Sequence, residues 1–247
     1  MRTEMLSHYS RALKRELRVM VYGHGGVPVL AFPTEGAACR EYEDFGLVGQ
    51  LRDYLDGGKM TLYVPDTVDD ESWLAYRADP AWRAARQEQY YRCCVDELVP
   101  LMKRRSRLVP AVMGCSLGAN HAVVAFLRRP ELFRGVLALS GVYDTDVWFG
   151  GWMNPTLYES SPERFLPSLA ENHKYIPIYN RKKLIFVCGR GAFEDDALRT
   201  MQHMQRIFAA KGIHAVFDYW SAEATHDWPW WFRQARRHVP TLLGERH

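Results

Sequence analysis

The chain has 247 residues, 47% of them apolar and 25% charged, with a formal net charge of +3. This provides for a sizeable core and is too weakly basic for a nucleic-acid binder. Five cysteines, at positions 39, 93, 94, 115 and 188, lack the spacing of a disulfide framework or a metal site, and are expected as reduced packing thiols.

Residues 1–17 mix charges among short apolar stretches without the continuous apolar core of a signal peptide, and no later segment is long enough to span a bilayer. A single domain working in the cytoplasm is expected, with no membrane or nucleic-acid partner and the oligomeric state left open. Residues 19–22 and 27–32 are strand-like runs separated by Gly23-His24-Gly25-Gly26, which predicts a hairpin. That glycine cluster imitates an oxyanion loop, but it precedes the second strand instead of following it, so it reads as a turn.

A loop follows at 33–37, then an amphipathic segment over 41–55 and a strand at 61–65. A long helical pattern covers 80–105 and has the polarity of a helix lying on a sheet. Residues 108–113 form an apolar run without helical period, the mark of a buried parallel strand.

Gly114-Cys115-Ser116-Leu117-Gly118 comes next and leads into a helical segment at 119–128 and a second buried strand at 135–140. Strand, turn, helix and strand in that order give a nucleophile elbow, with Ser116 exposed at the bend and the Leu117 N–H directed at the same space. Residues 143–181 break the alternation with an aromatic-rich insertion. Trp148, Phe149 and Trp152 within it either wall a substrate pocket over Ser116 or form a small satellite core. Alternation resumes with a strand at 183–188, a helix at 197–211, a strand at 214–220 and a helix at 228–243. The whole reads as an α/β fold: a mostly parallel, doubly wound sheet with helices on both faces.

A serine hydroxyl needs a base to take its proton and an acid to orient that base. His226 is the only histidine between the last predicted strand and the last helix, which makes it the candidate base. His121 lies on the helix after the elbow and is expected to pack; His8, His24, His173, His203, His214, His238 and His247 fall in turns, helices, a strand or termini. The acid should follow the strand at 183–188, where Glu194, Asp195 and Asp196 stand in a row. Glu194 is preferred and Asp195 is the alternative, because the two aspartates suit the first turn of the next helix. Leu117 supplies one oxyanion donor, and the loop after the strand at 27–32 supplies the second, through Thr34, Glu35 or Gly36. The Glu35 side chain must then face outward.

Phe32-Pro33-Thr34, the stretch 66–73, Gly114-Cys115-Ser116-Leu117-Gly118-Ala119, Ser140-Gly141-Val142-Tyr143-Asp144, Gly189-Arg190-Gly191-Ala192-Phe193-Glu194 and His226-Asp227-Trp228 together resemble the esterase family of the α/β-hydrolase fold. That family is similar to esterase D (S-formylglutathione hydrolase), feruloyl and siderophore esterases and mycolyltransferases. The resemblance implies a serine esterase acting on a small-molecule ester through an acyl-enzyme, without metal or organic cofactor. It supports Ser116 and His226, favours Glu194 and carries no particular substrate. A thioesterase or acyltransferase would use the same residues, and a non-catalytic hydrolase-like binding protein would be expected to lack one of them.

Overall fold

The computed structural model describes residues 1–245, so His247 lies outside the described residues. An eight-stranded sheet runs through it in the order β1 (Thr3–Ser10), β2 (Arg15–Tyr22), β4 (Met60–Pro65), β3 (Val27–Phe32), β5 (Ala111–Cys115), β6 (Gly135–Leu139), β7 (Lys183–Cys188), β8 (Val216–Tyr219). From β4 to β8 all pairings are parallel; β2 is antiparallel to both β1 and β4.

The central strands are buried along their length, so successive residues feed two different cores. Leu30, Phe32, Val112 and Phe186 face one layer, formed by α4 (Pro80–Arg92), α5 (Val99–Arg105), α6 (Leu117–Arg128) and α11 (Asp195–Ala210). Val29, Ala31, Met113, Leu139 and Val187 face the other, formed by α1 (Glu41–Asp44), α2 (Leu47–Gln50), α3 (Arg52–Asp56) and α12 (Trp228–Leu243). Helices on both faces of a mostly parallel sheet are what the alternation predicts. The insertion folds into four one-turn helices: α7 (Asp146–Phe149), α8 (Pro155–Tyr158), α9 (Pro162–Phe165) and α10 (Ile176–Tyr179). Among the described residues no helix is long and apolar enough to cross a membrane.

Four local expectations are corrected. The runs at 19–22 and 27–32 do not pair with each other, because β4 lies between them: Val19 faces Pro65 while Val29 faces Leu62. Left-handed Gly23 and Gly26 carry the chain past the start of β4, where the Val27 N–H meets the Lys59 carbonyl at 2.9 Å. The hairpin of the fold is β1–β2, from Thr3 opposite Tyr22 to Ser10 opposite Arg15. The segment 41–55 is three short helices, broken at left-handed Gly46. The pattern over 80–105 contains a π turn at Cys93–Leu98, because Pro100 has no N–H to return to the residue four before it and its ring crowds that carbonyl. Finally, β5 begins only after Pro110, which has no ladder donor, and leaves Leu108 and Val109 about half exposed.

Candidate active site

Ser116 stands between the last residue of β5 and the first of α6, at φ +54° and ψ −126°, a conformation that a non-glycine residue holds only when its surroundings impose it. Here they do. A Cβ on Gly114 would lie 2.1 Å from the Gly118 carbonyl oxygen, and one on Gly118 would lie 2.1 Å from the Pro33 carbonyl oxygen. Only glycine permits strand, bend and helix to close this tightly, and the Ser116 N–H is pinned to the Leu139 carbonyl at 2.9 Å. The hydroxyl is left half-buried at the carboxyl end of the parallel strands, where α/β sheets gather their ligands.

His226 follows β8, with its N–H donated to the Ala192 carbonyl at 3.1 Å. Its Nε2 lies 2.9 Å from Ser116 Oγ and its Nδ1 lies 3.1 Å from Glu194 Oε2. These three side chains come from positions 110 and 32 residues apart and meet in one chain of hydrogen bonds. Of the three acids after β7, Glu194 is the one turned inward, with 1% exposure. Asp195 and Asp196 are exposed in the first turn of α11, and Asp196 pairs with Arg199 at 3.1 Å.

The loop after β3 distributes its donors unevenly. Thr34 gives both its N–H, at 2.8 Å, and its hydroxyl to the carboxylate of Glu41. Burial pushes the Glu41 carboxyl above its ordinary range, and the Thr34 donors act against that rise. Gly36 N–H is held by Asp69 at 2.9 Å. Among the described residues the N–H groups of Glu35 and Leu117 meet no acceptor. Thr34 is therefore corrected as a donor to a substrate oxygen: its N–H is already bonded. The Glu35 carboxylate turns to the Trp148 indole, which donates to it at 3.0 Å, and the residue is exposed.

A family model described as "Putative esterase" matches residues 10–241. The chain belongs to this esterase family. No curated protein matches its sequence. Among solved structures, a ferulic acid esterase is similar with a TM-score of 0.76 at 14% identity, covering 99% of this chain and 98% of that one. The S-formylglutathione hydrolase of Agrobacterium tumefaciens gives 0.74 at 14% identity over 98% and 95% of the two chains. MPT51 of Mycobacterium tuberculosis gives 0.73 at 15% identity over both chains in full. These likenesses establish the α/β-hydrolase fold.

In this esterase several further groups converge on Glu194. Glu194 Oε1 accepts from the Ser140 hydroxyl at 2.6 Å and from the Gly189 N–H at 3.2 Å, and the Cys188 thiol lies 3.5 Å from Oε2. Trp231 donates its indole N–H to Ser140 Oγ at 3.0 Å and sets its ring edge-on to His226, with centroids 5.0 Å apart. Ser140 holds φ +49° at the end of β6, another constrained serine at a strand terminus. Its place at the carboxyl end of a parallel strand was the available signal, since site loops cluster there.

The insertion residues form a small core of their own. Trp148 and Phe149 are buried with Trp73, Ala84, Leu157 and Leu117, the residue after the elbow serine. Trp73 stands edge-on to Trp148 and Phe149 at 4.9 and 5.6 Å, and half-buried Trp152 stacks on Phe149 at 6.1 Å. Arg83 seals this cluster, with its guanidinium 4.2 Å over Phe149 and bonded to the carbonyls of Ser72 and Trp148. His121 is buried on α6 between Asp69, at 3.3 Å, and Gln87, at 3.1 Å.

Proposed function

We propose that this esterase hydrolyses carboxylic esters through a covalent acyl-enzyme on Ser116. The observation that carries the reading is the unbroken chain from Ser116 Oγ to His226 Nε2, at 2.9 Å, and from His226 Nδ1 to Glu194, at 3.1 Å. Both distances are hydrogen-bond length, and the order is nucleophile, base, orienting acid.

The hydroxyl donates to Nε2 while Nδ1–H donates to Glu194, which fixes the tautomer that can accept a proton. Ser116 Oγ attacks the ester carbonyl carbon, His226 takes the hydroxyl proton, and the buried carboxylate of Glu194 stabilises the imidazolium. Collapse of the tetrahedral adduct returns that proton to the departing alcohol. A water, deprotonated by the same imidazole, then attacks the acyl carbon and restores Ser116. The Leu117 and Glu35 N–H groups, both free of acceptors among the described residues, are the proposed oxyanion donors. Trp148, Phe149 and Trp152 form the proposed wall of the substrate pocket; the contact of the first two with Leu117 supports this. Ser116, Glu194 and His226 all follow strands of one sheet, in keeping with a single domain. Five buried unpaired thiols favour a reducing compartment, the cytoplasm.

Replacing Ser116 by Ala tests the reading with a small chromogenic ester. The expected loss in kcat is on the order of 10⁴-fold or more. Turnover persisting near the wild-type rate would overturn it.

A further inference from the structure

We propose that His8, Cys93 and Glu97 form a zinc-binding site at the β1 edge of the sheet. The nitrogen, sulfur and carboxylate oxygen that these residues offer all lie within 4.8 Å of one another. His8 Nε2 is already 2.9 Å from Glu97 Oε2. The residues come from two elements that pack together: His8 from β1, and Cys93 with Glu97 from the π turn, four positions apart. π turns are rare and concentrate at functional sites, and this one presents thiol and carboxylate on the same side.

The cluster has a floor, a mouth and a supporting group. Cys93 is fully buried, whereas the side chains of His8 and Glu97 are 21% and 17% exposed, which leaves an ion a route in from solvent. The second carboxylate oxygen of Glu97 is held by the Ala12 N–H at 2.9 Å. Such outer contacts orient ligands in metal centres. One thiolate, one imidazole and one carboxylate suit zinc, whereas magnesium and calcium take oxygen ligands.

On binding, the Cys93 thiol proton and any proton on His8 Nε2 pass to solvent. The ion then bonds to sulfur, nitrogen and oxygen, with water in the fourth position. Three strands separate β1 from β5, so the two strands that carry His8 and lead into Ser116 lie about 19 Å apart across the sheet, at ~4.8 Å per strand. Zinc here would fasten the β1–β2 hairpin to α4 and α5 without entering the ester chemistry, and the proposal stands independently of the acyl-enzyme.

The test uses untagged full-length protein, stripped by chelator, equilibrated with zinc and passed through a desalting column before metal analysis. One zinc per chain is expected, with a rise in the thermal unfolding midpoint and, with cobalt as a probe, a thiolate-to-metal charge-transfer band. His8→Ala and Cys93→Ser should each weaken zinc binding at least about tenfold, while His226→Ala should leave uptake intact. Ester turnover should be the same with and without the ion. Should Cys93→Ser misfold, the half-exposed His8 position and the cobalt band decide the matter. Absence of stoichiometric zinc, uptake that survives His8→Ala, or uptake lost in His226→Ala would each overturn the proposal.

Discussion

Glu194 is enclosed by donors: Ser140 and Gly189 hold one oxygen, and the other faces His226 and the Cys188 thiol. A carboxylate accepts at every one of these points, and an amide cannot. In Glu194→Gln the new NH₂ must oppose either the His226 Nδ1–H or the Ser140 and Gly189 donors. The wrong imidazole tautomer is then favoured, and kcat should fall by about 10⁴-fold. Asp195→Asn changes an exposed group in the first turn of α11 and should leave kcat nearly unaltered. Steady-state kinetics of the two variants on one ester checks this; comparable losses in both would contradict the assignment of the acid. At this scale the sequence narrows the acid to three neighbours and prefers Glu194, but spacing alone does not separate them. The choice depends on which side chain the turn before α11 directs inward. Ser140 was legible only as part of a motif at the end of a strand, and Trp231 not at all, since a tryptophan in a helix has no spacing that distinguishes it from a packing residue.

Elements whose apolar run is bounded by strong local signals were legible almost to the residue. β7 and α12 start and stop where the pattern does, and α12 is capped by Asp227, whose carboxylate accepts from the Trp228 N–H at 2.7 Å. The elbow was legible because its glycines are sterically required on both sides of Ser116. Strand pairing was not, because adjacency along the chain favours a β2–β3 hairpin and only three-dimensional competition inserts β4. β1 escaped for a related reason: as an edge strand it alternates exposed and partly exposed residues, so its pattern never becomes apolar. The insertion read ambiguously as pocket wall or satellite core. It packs as a core, and one side of that core is Leu117, the residue next to Ser116.

Asp66 links parts of the molecule that lie far apart in sequence. From the end of β4 it accepts from Arg18 of β2 at 2.7 Å and from the Cys39 N–H, ahead of α1, at 2.9 Å. Burial pushes its carboxyl up, but the Arg18 hydrogen bond and the Cys39 N–H outweigh this and hold it below its ordinary range. A carboxyl whose pKa is lower folded than unfolded stabilises the fold fully above the unfolded value. That contribution is lost as pH falls through the folded value, so the window lies below about pH 4. Urea midpoints should therefore drop on acidification through this window, and the drop should be shallower in Asp66→Asn; identical slopes for variant and wild type would contradict the linkage. The central claim concerns the whole molecule as well, since Ser116, Glu194 and His226 reach one point only through the complete sheet. A serine-directed fluorophosphonate, followed by peptide mapping of the adduct, tests it most directly. The account predicts a single adduct on Ser116 that forms far more slowly in His226→Ala, and an unreacted Ser116, or equal labelling in both proteins, would contradict it.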